Sequence, residues 1–552
     1  MIEQIDYVAY RKLKDISLNF SPYVNLIAGT NGTCKTSILH TISNSFKAVV
    51  STAPWLNDDK ATLVIKNINK LCNPKIETLT RGDREFNNPG QGVTGTLFKA
   101  NYFDETSLSF RKHNSSKTNN TMRFAIKPQY KVGESESLPA LPTIYLGLFR
   151  LFAYGEFESD HLVRDISSRL PVEYLTIITD LYRDFTGLTI ELEDIKSMGN
   201  IKNRPEFKTS ISGIDSNTIS AGEDNLFIIL LALVSLRYYF ESITSERLVE
   251  SIFLIDEIDA SLHPEFQLKL FNLFTEYSRE YKIQVFFTTH SMTLIDHALS
   301  KKNECKTTYL IDNIDRVNAM IEPDKYKIDM FLKNITQQEH YLYNKIPVIT
   351  EDAEARLFLN LLLENHPSNI QRFFHIVEAN LPSEAILNLA NDDFLLKSTL
   401  RTVNMLDGDQ HNKKDLNKNI ITLPSNLPPE VLAFSHARKL LEQHNHEFWN
   451  NQVLINQGLT KIYFSRNILP DLDKIQRDYD QLKEERKPTK GFLRERNKKI
   501  FNKHLLFWKY VLLDWTKSNE NNRQINQFYD NLRIVFLKTA EFHGLSSNEW
   551  NE

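Results

Sequence analysis

Residues 24 to 46 leave little freedom in how this chain begins. Val24-Asn25-Leu26-Ile27-Ala28 is a short apolar run of the kind buried in a sheet, and it passes directly into Gly29-Thr30-Asn31-Gly32-Thr33-Cys34-Lys35-Thr36-Ser37. Ile38, Leu39, Ile42 and Phe46 then recur at helical spacing. Strand, glycine-containing loop and helix is the setting in which backbone N–H groups close around a phosphate, because a helix N-terminus leaves donors unsatisfied and carries partial positive charge. Gly29 and Gly32 let the backbone turn, Lys35 would reach the β and γ phosphates, and Thr36 would hold Mg2+. Asn31, Thr33, Cys34 and Ser37 complete the loop. The glycine usual before the lysine is replaced by Cys34, whose side chain crowds the loop unless its φ is negative. A small residue with negative φ keeps its N–H aimed at the phosphates, and this is the conformation we expect. Taken alone, the run also fits a plain Gly/Thr turn.

Further runs point the same way. Ile252-Phe253-Leu254-Ile255-Asp256-Glu257 reads as a buried strand ending in two acids. Asp256 is suited to the Mg2+ shell and Glu257 to polarising an attacking water. Ser220-Ala221-Gly222-Glu223 opens a long apolar helix, where a hydroxyl and backbone N–H groups can grip a γ-phosphate. His290 follows the strand Val285-Phe286-Phe287-Thr288-Thr289, where it would sense that phosphate. Each has an ordinary alternative: exposed acids at a strand end, or a structural histidine.

In this order the motifs resemble the ABC-type ATPase heads of SMC, RecF and OLD-like proteins, and Ala260-Ser261-Leu262-His263-Pro264 matches their D-loop. The resemblance covers about residues 1 to 335. It implies ATP and Mg2+ as cofactors. It also implies that Ser220, Gly222 and Glu223 complete the site of a partner protomer, so that the protein works as a homodimer or higher assembly of heads. The Q-loop glutamine is not placed by sequence.

Beyond residue 335 the pattern changes. Strands at 346–349, 373–377 and 400–406 alternate with helices at 353–364 and 383–391, an order that implies a small parallel sheet. Glu351 lies at the end of the first strand and Asp407-Gly408-Asp409 at the end of the third. In a parallel sheet these ends converge on one crevice. Carboxylates there suit Mg2+ or Mn2+, and two such ions can stabilise the attacking and leaving oxygens of a phosphodiester. This resembles the Toprim fold, which OLD-family nucleases join to an ATPase head in this order, and Leu423-Pro424-Ser425-Asn426-Leu427-Pro428-Pro429-Glu430 adds Glu430 as a further ligand. The alternative is a Rossmann-like accessory domain with ordinary strand-end acids, or a decayed Toprim. From about residue 436 the chain reads as helical. The expected division is an ABC-type head at 1–335, a Toprim-like domain at 336–435 and a helical region at 436–552, all within an α/β fold. Residues 483–499 hold eight Lys/Arg against three Glu, and Arg494, Arg496, Lys498 and Lys499 form a candidate face for a duplex backbone, or a solvated helix face.

Composition narrows the function. A net charge of −4 excludes a globally basic nucleic-acid coat, though not a local groove. With 3 cysteines there is no disulfide framework and no closed zinc site. The start has no signal-peptide pattern, and the apolar run from Leu226 to Leu236 is shorter than the roughly 18 to 20 residues of a membrane span. We expect a cytoplasmic protein without a membrane partner. No long heptad run is present, so the coiled-coil arm of a full SMC protein is absent. The whole chain resembles bacterial anti-phage defence ATPases: OLD-like nucleases, and the Septu ATPase subunit, including versions attached to retrons. The runs Asn31–Ser37 and Ile144–Leu151 carry the second likeness. The first implies a nuclease acting on nucleic acid at Glu351, Asp407 and Asp409. The second implies a regulatory scaffold for a separate HNH nuclease, held inactive by a retron reverse transcriptase and its DNA–RNA product. A RecF-like repair ATPase is a third possibility.

Overall fold

Strands Thr143–Leu146, Ser251–Ile255, Ile283–Thr289, Val24–Gly29 and Cys305–Asp312 lie side by side in that order, all parallel, and Val317–Ala319 closes the edge antiparallel. The three central strands are buried at every residue, which is why they read as unbroken apolar runs and not as alternating ones. The structure is a computed structural model. It describes all residues except 57, 59, 70–80, 83–87, 117–121, 131–136, 149–162, 166–169, 199–201, 216–217, 244–249, 444–445, 488–490 and 552. Parts of the runs 144–151 and 483–499 therefore lie outside the described residues. The chain divides into two compact units, Met1–Ile328 and Asp329–Glu552.

In the first unit an antiparallel sheet, with Ile2–Tyr10 between Leu13–Asn19 and Thr96–Tyr102, covers the helix Lys35–Asn44. Ile38, Leu39 and Ile42 of that helix share a core with Tyr7, Phe98 and Phe110 of the sheet. The Tyr7 hydroxyl meets Thr41 Oγ1 at 2.6 Å. The helix after the phosphate-type loop is thereby fixed from both sides. Helix Ala221–Glu241 is buried from Asp224 through Leu236, so its long apolar run is explained by core packing on all faces. No described helix is long and apolar enough to cross a membrane. Residues between the phosphate-type loop and the antiparallel sheet include the helix Lys60–Asn69. Lys202–Thr209 is a strand paired with Ile190–Met198. Its charged sequence hides it: its apolar anchor is Phe207, packed on Tyr182 and Phe227.

The second unit holds a four-stranded parallel sheet in the order Phe374–Ile376, Ile346–Ile349, Val403–Leu406, Ile420–Thr422. The first three strands alternate with helices Ala353–Asn365 and Ser383–Ala390 in the expected order. Ile420–Thr422 is an additional strand, and its 3 residues are too few to carry a periodic pattern in the sequence. Ile346, Phe358 and Val403 share one core with Phe434, Trp508, Leu512, Phe528 and Phe536, so the helices beyond residue 436 belong to the same compact unit as the sheet.

Candidate nucleotide site and a second acidic site

The first site is built at the C-terminal ends of adjacent parallel strands. Val24–Gly29 delivers the glycine loop, Ser251–Ile255 delivers Asp256 and Glu257, and Ile283–Thr289, lying between them, delivers His290. Gly29 has φ 148°, and a Cβ there would stand 2.5 Å from Leu310 O on the neighbouring strand, so only glycine fits. Helix Lys35–Asn44 begins without a side-chain cap, which leaves its first N–H groups directed at the loop. The Lys35 ammonium sits back on Gly29 O and Thr30 O at 3.0 and 3.1 Å. Burial holds its pKa below the ordinary value, opposed by Glu257, Asp256 and Asp259. A phosphate would exchange two carbonyl contacts for full negative charges. Thr33 is buried and donates to Thr30 O at 2.7 Å, bracing the loop, while Asn31 and Gly32 are exposed at its tip.

Thr36 Oγ1 donates to Asp256 Oδ2 at 2.7 Å, joining the loop helix to the acid strand. This hydroxyl–carboxylate pair is the donor set that Mg2+ prefers beside a phosphate. Glu257, next along, adopts φ 47°, a conformation that carries strain of about 1 to 3 kcal/mol and that clusters at functional sites. His290 is exposed, with its backbone N on Asp259 Oδ1 and Oδ2, both at 3.2 Å. Ser220 caps helix Ala221–Glu241 in a reciprocal capping box with Glu223. Gly222 is required by the close approach of the segment Ala260–Pro264, since a Cβ would lie 2.6 Å from Ser261 O. Several partners were not found from sequence. Arg11 donates to Ser37 Oγ at 2.9 Å, and Asn225 donates to Ser261 Oγ at 2.9 Å. His40 meets the Tyr145 hydroxyl at 3.1 Å, and burial lowers its pKa to about 4, so it is neutral beside Asp256.

Cys34 departs from expectation. Its φ is +64° and its ψ 22°, the left-handed region that favours glycine, and not the negative φ expected. The loop geometry overrides the residue, at about 1 to 2 kcal/mol of backbone strain. We expect Cys34→Gly to keep nucleotide affinity within about twofold and to stabilise the first unit by up to about 1 kcal/mol. Thermal unfolding beside calorimetric ATP binding checks this, and a destabilised glycine variant would refute it.

The second unit gathers its acids as the sequence implied, with additions. Glu351 Oε1 accepts from Asp407 N at 3.1 Å, which ties the first and third strand ends together. Gly408 has no room for a Cβ, which would lie 2.6 Å from Ser425 O. Asp352, Glu354 and Glu430 are also buried in this unit, whereas Asp409 is exposed. Burial and the neighbouring acids push Asp407 up to about 9, and burial pushes Glu430 up to about 7. Asp407 Oδ1 and Glu430 Oε2 are buried without a hydrogen-bond partner. Lys498 bonds to Asp352 and stands 3.5 Å from Glu354. Arg494 stands 3.6 Å from Glu351 and 3.5 Å from Asp352. Burial raises the Asp352 pKa, but Lys498, the Ala355 N–H and Arg494 together outweigh it, with a net lowering. Among the described residues no group of three or more His, Cys, Asp or Glu side chains has the arrangement of a metal site. Arg496 is engaged by Asp478 at 3.1 Å. The basic face read from the sequence is therefore largely turned onto acids of its own unit, with Lys499 left exposed.

Fold and first site together define a phosphate-loop nucleotide-binding unit of the ATPase type: glycine loop, lysine, hydroxyl and a paired acid strand on a parallel sheet. A family model described as "AAA domain, putative AbiEii toxin, Type IV TA system" matches residues 222–296, a span that holds Gly222, Glu223, Asp256, Glu257 and His290. The Septu protein PtuA of Bacillus thuringiensis is 22% identical over 391 residues, which is 65% of this chain and 92% of that protein. Among solved structures, an SMC head bound to the C-terminal winged-helix domain of ScpA is 13% identical at a TM-score of 0.35, over 58% of this chain and 96% of that one. RecF bound to an ATP analogue is 12% identical at a TM-score of 0.29, over 58% and 98%.

Proposed function

We propose that this protein is a Mg2+-dependent ATPase of a cytoplasmic anti-phage defence system, whose nucleotide state controls nucleic-acid cleavage. The observation that carries the ATPase reading is the Thr36–Asp256 hydrogen bond of 2.7 Å, with Glu257 adjacent in sequence and Lys35 adjacent to Thr36. Lys35 and the loop N–H groups bind the β and γ phosphates. Thr36 and Asp256 would hold Mg2+, which would supply positive charge against the phosphate oxygens. Glu257 accepts the proton of the attacking water, and His290 faces the γ-phosphate. Ser220, Gly222 and Glu223 serve the nucleotide of a partner protomer, which makes a homodimer of heads the active unit. Likeness to PtuA supports the defence assignment. Steady-state ATP hydrolysis by the full chain tests it: turnover that requires Mg2+ and Lys35 is expected, and absence of both binding and turnover would sink it.

Two assignments of the cleaving centre follow. In the first, Glu351, Asp407 and Asp409 hold Mg2+ or Mn2+ and cleave DNA or RNA. In the second, the chain is an ATP-switched scaffold for a separate HNH nuclease, restrained in a retron setting by a reverse transcriptase and its DNA–RNA product. Arg494 and Lys498 on the acids and the outward position of Asp409 favour the second. Incubation of the purified chain with Mn2+ and DNA or RNA separates them. Cleavage lost in Asp407→Ala plus Asp409→Ala supports the first, and cleavage that appears only when an HNH nuclease subunit is added supports the second.

A further inference from the structure

The sequence drew attention to the acids Asp256 and Glu257 and passed over the threonine that holds them. Thr288 lies on the central strand, fully buried, two residues before His290. Its hydroxyl has one proton and accepting lone pairs, and the structure uses both functions. The proton goes to Asp256 Oδ1 at 2.7 Å. A lone pair accepts the Glu257 N–H at 2.7 Å. The Thr288 carbonyl accepts the next amide, that of Ile258, at 3.0 Å. Thr288 therefore brackets Glu257 from both sides, with its side chain on the residue's own N–H and its backbone on the following one. Glu257 needs such bracketing, because φ 47° is a conformation an unsupported glutamate leaves readily.

Asp256 is held from two directions. Thr36 reaches Oδ2 from the loop helix and Thr288 reaches Oδ1 from the central strand. Thr36 is the hydroxyl that Mg2+ would share. Thr288 lies on the strand beside Val24–Gly29, in register with Ile27, and holds the other carboxylate oxygen from the sheet. Thr289 makes a parallel attachment, donating to Asp259 Oδ1 at 2.7 Å, but that acid lies two residues beyond Glu257 and holds His290 N. The two threonines thus divide the work, and the first serves the acids that handle metal and water.

We propose that Thr288 is a positioning residue for ATP hydrolysis, acting through Asp256 and Glu257 without touching nucleotide. The inference rests on the ATPase reading above. Thr288→Val keeps the shape and removes the hydroxyl, leaving Asp256 Oδ1 and the Glu257 N–H without this partner. Because displacement of a reacting group by about 1 Å can lower a rate about a hundredfold, turnover should fall about ten- to a hundredfold while ATP affinity stays within about threefold. Thr288→Ser, which restores the hydroxyl, should return turnover to within about threefold of the parent. In a Glu257→Gln background Thr288→Val should lower turnover by a smaller factor than in the parent, since one of the two groups it positions is already disabled.

Purified full-length variants, with folding checked by circular dichroism and ATP affinity by calorimetry, supply the measurements. Thr288→Val turnover within twofold of the parent overturns the proposal, as does an equal loss in affinity and turnover. Full additivity with Glu257→Gln overturns it too. Should Thr288→Val not fold, Thr288→Cys takes its place, with a weakly bonding thiol in place of the hydroxyl and no γ-methyl, and Thr288→Ser is its control for the lost methyl. A loss of at least about fivefold in turnover at unchanged affinity is then expected, and parental turnover overturns the proposal. A parent that neither binds nor hydrolyses ATP would instead mean that the ATPase reading itself has failed.

Discussion

Replacing Lys35 with alanine is expected to abolish ATP binding, while Glu257→Gln keeps binding and loses turnover. Lys35 is the cation of the phosphate loop, buried to 7% exposure against Gly29 O and Thr30 O, and nothing in the alanine side chain can oppose the phosphate charge. An affinity loss of at least about a hundredfold follows, because a buried charge-assisted contact is lost without water to replace it. Glu257→Gln preserves shape and hydrogen bonding but cannot accept a proton, so turnover should drop about 10²- to 10⁴-fold. The protein should then accumulate as an ATP-bound closed dimer, visible as a doubling of mass in light scattering only when ATP is present. Parental turnover in Glu257→Gln would remove it as the base, and ATP binding by Lys35→Ala would remove residues 29 to 37 as the site.

Asp407→Asn is expected to stabilise the metal-free second unit at alkaline pH. Burial, then Glu351, Asp352, Glu430 and Asp409, push the Asp407 carboxyl up to about 9, against 3.8 for the ordinary group. Burial likewise pushes Glu430 up to about 7 from 4.5. The folded unit therefore keeps protons that the unfolded chain has released. For a raised carboxyl the stabilising proton is held by both states at low pH, and stability declines as pH rises between the unfolded and folded values. The decline should run from about pH 4 to about pH 9. Asparagine removes the Asp407 contribution, so the variant should gain about 2 to 4 kcal/mol at pH 8 and show a shallower pH profile, measured by chemical denaturation. If Glu351, Asp407 and Asp409 form the cleaving centre, Mn2+ should stabilise the parent at pH 8 and Asp407→Asn much less; if the chain is a scaffold, Mn2+ should change neither. A destabilised Asp407→Asn with the parental pH slope would show that the carboxylate is charged and satisfied at neutral pH. ATP binding should be unchanged in Asp407→Ala plus Asp409→Ala, and loss of defence in that variant separates a self-contained nuclease from a scaffold.

The sequence alone was enough for whatever depends on neighbours along the chain. Gly29, Gly32, Lys35 and Thr36 sit within one loop, Asp256 and Glu257 end one strand, and Ser220 and Glu223 form one capping box, so residue type and spacing specified their local geometry. The alternation of strand and helix from Ile346 to Leu406 was legible for the same reason, since period and punctuation are local signals. What the sequence could not contain is what distant segments impose on one another. The left-handed φ of Cys34 comes from the loop's path between strand and helix and runs against the residue's own preference. Thr288 meets Glu257 across 31 positions, and Lys498 meets Asp352 across 146, so neither pair leaves a pattern in any local window. Arg494 and Lys498 looked like a free basic face because charge is counted along a sequence, whereas neutralisation is decided by which acids fold beneath it. The tertiary structure decided these points because a buried charge must find a partner wherever the chain brings one.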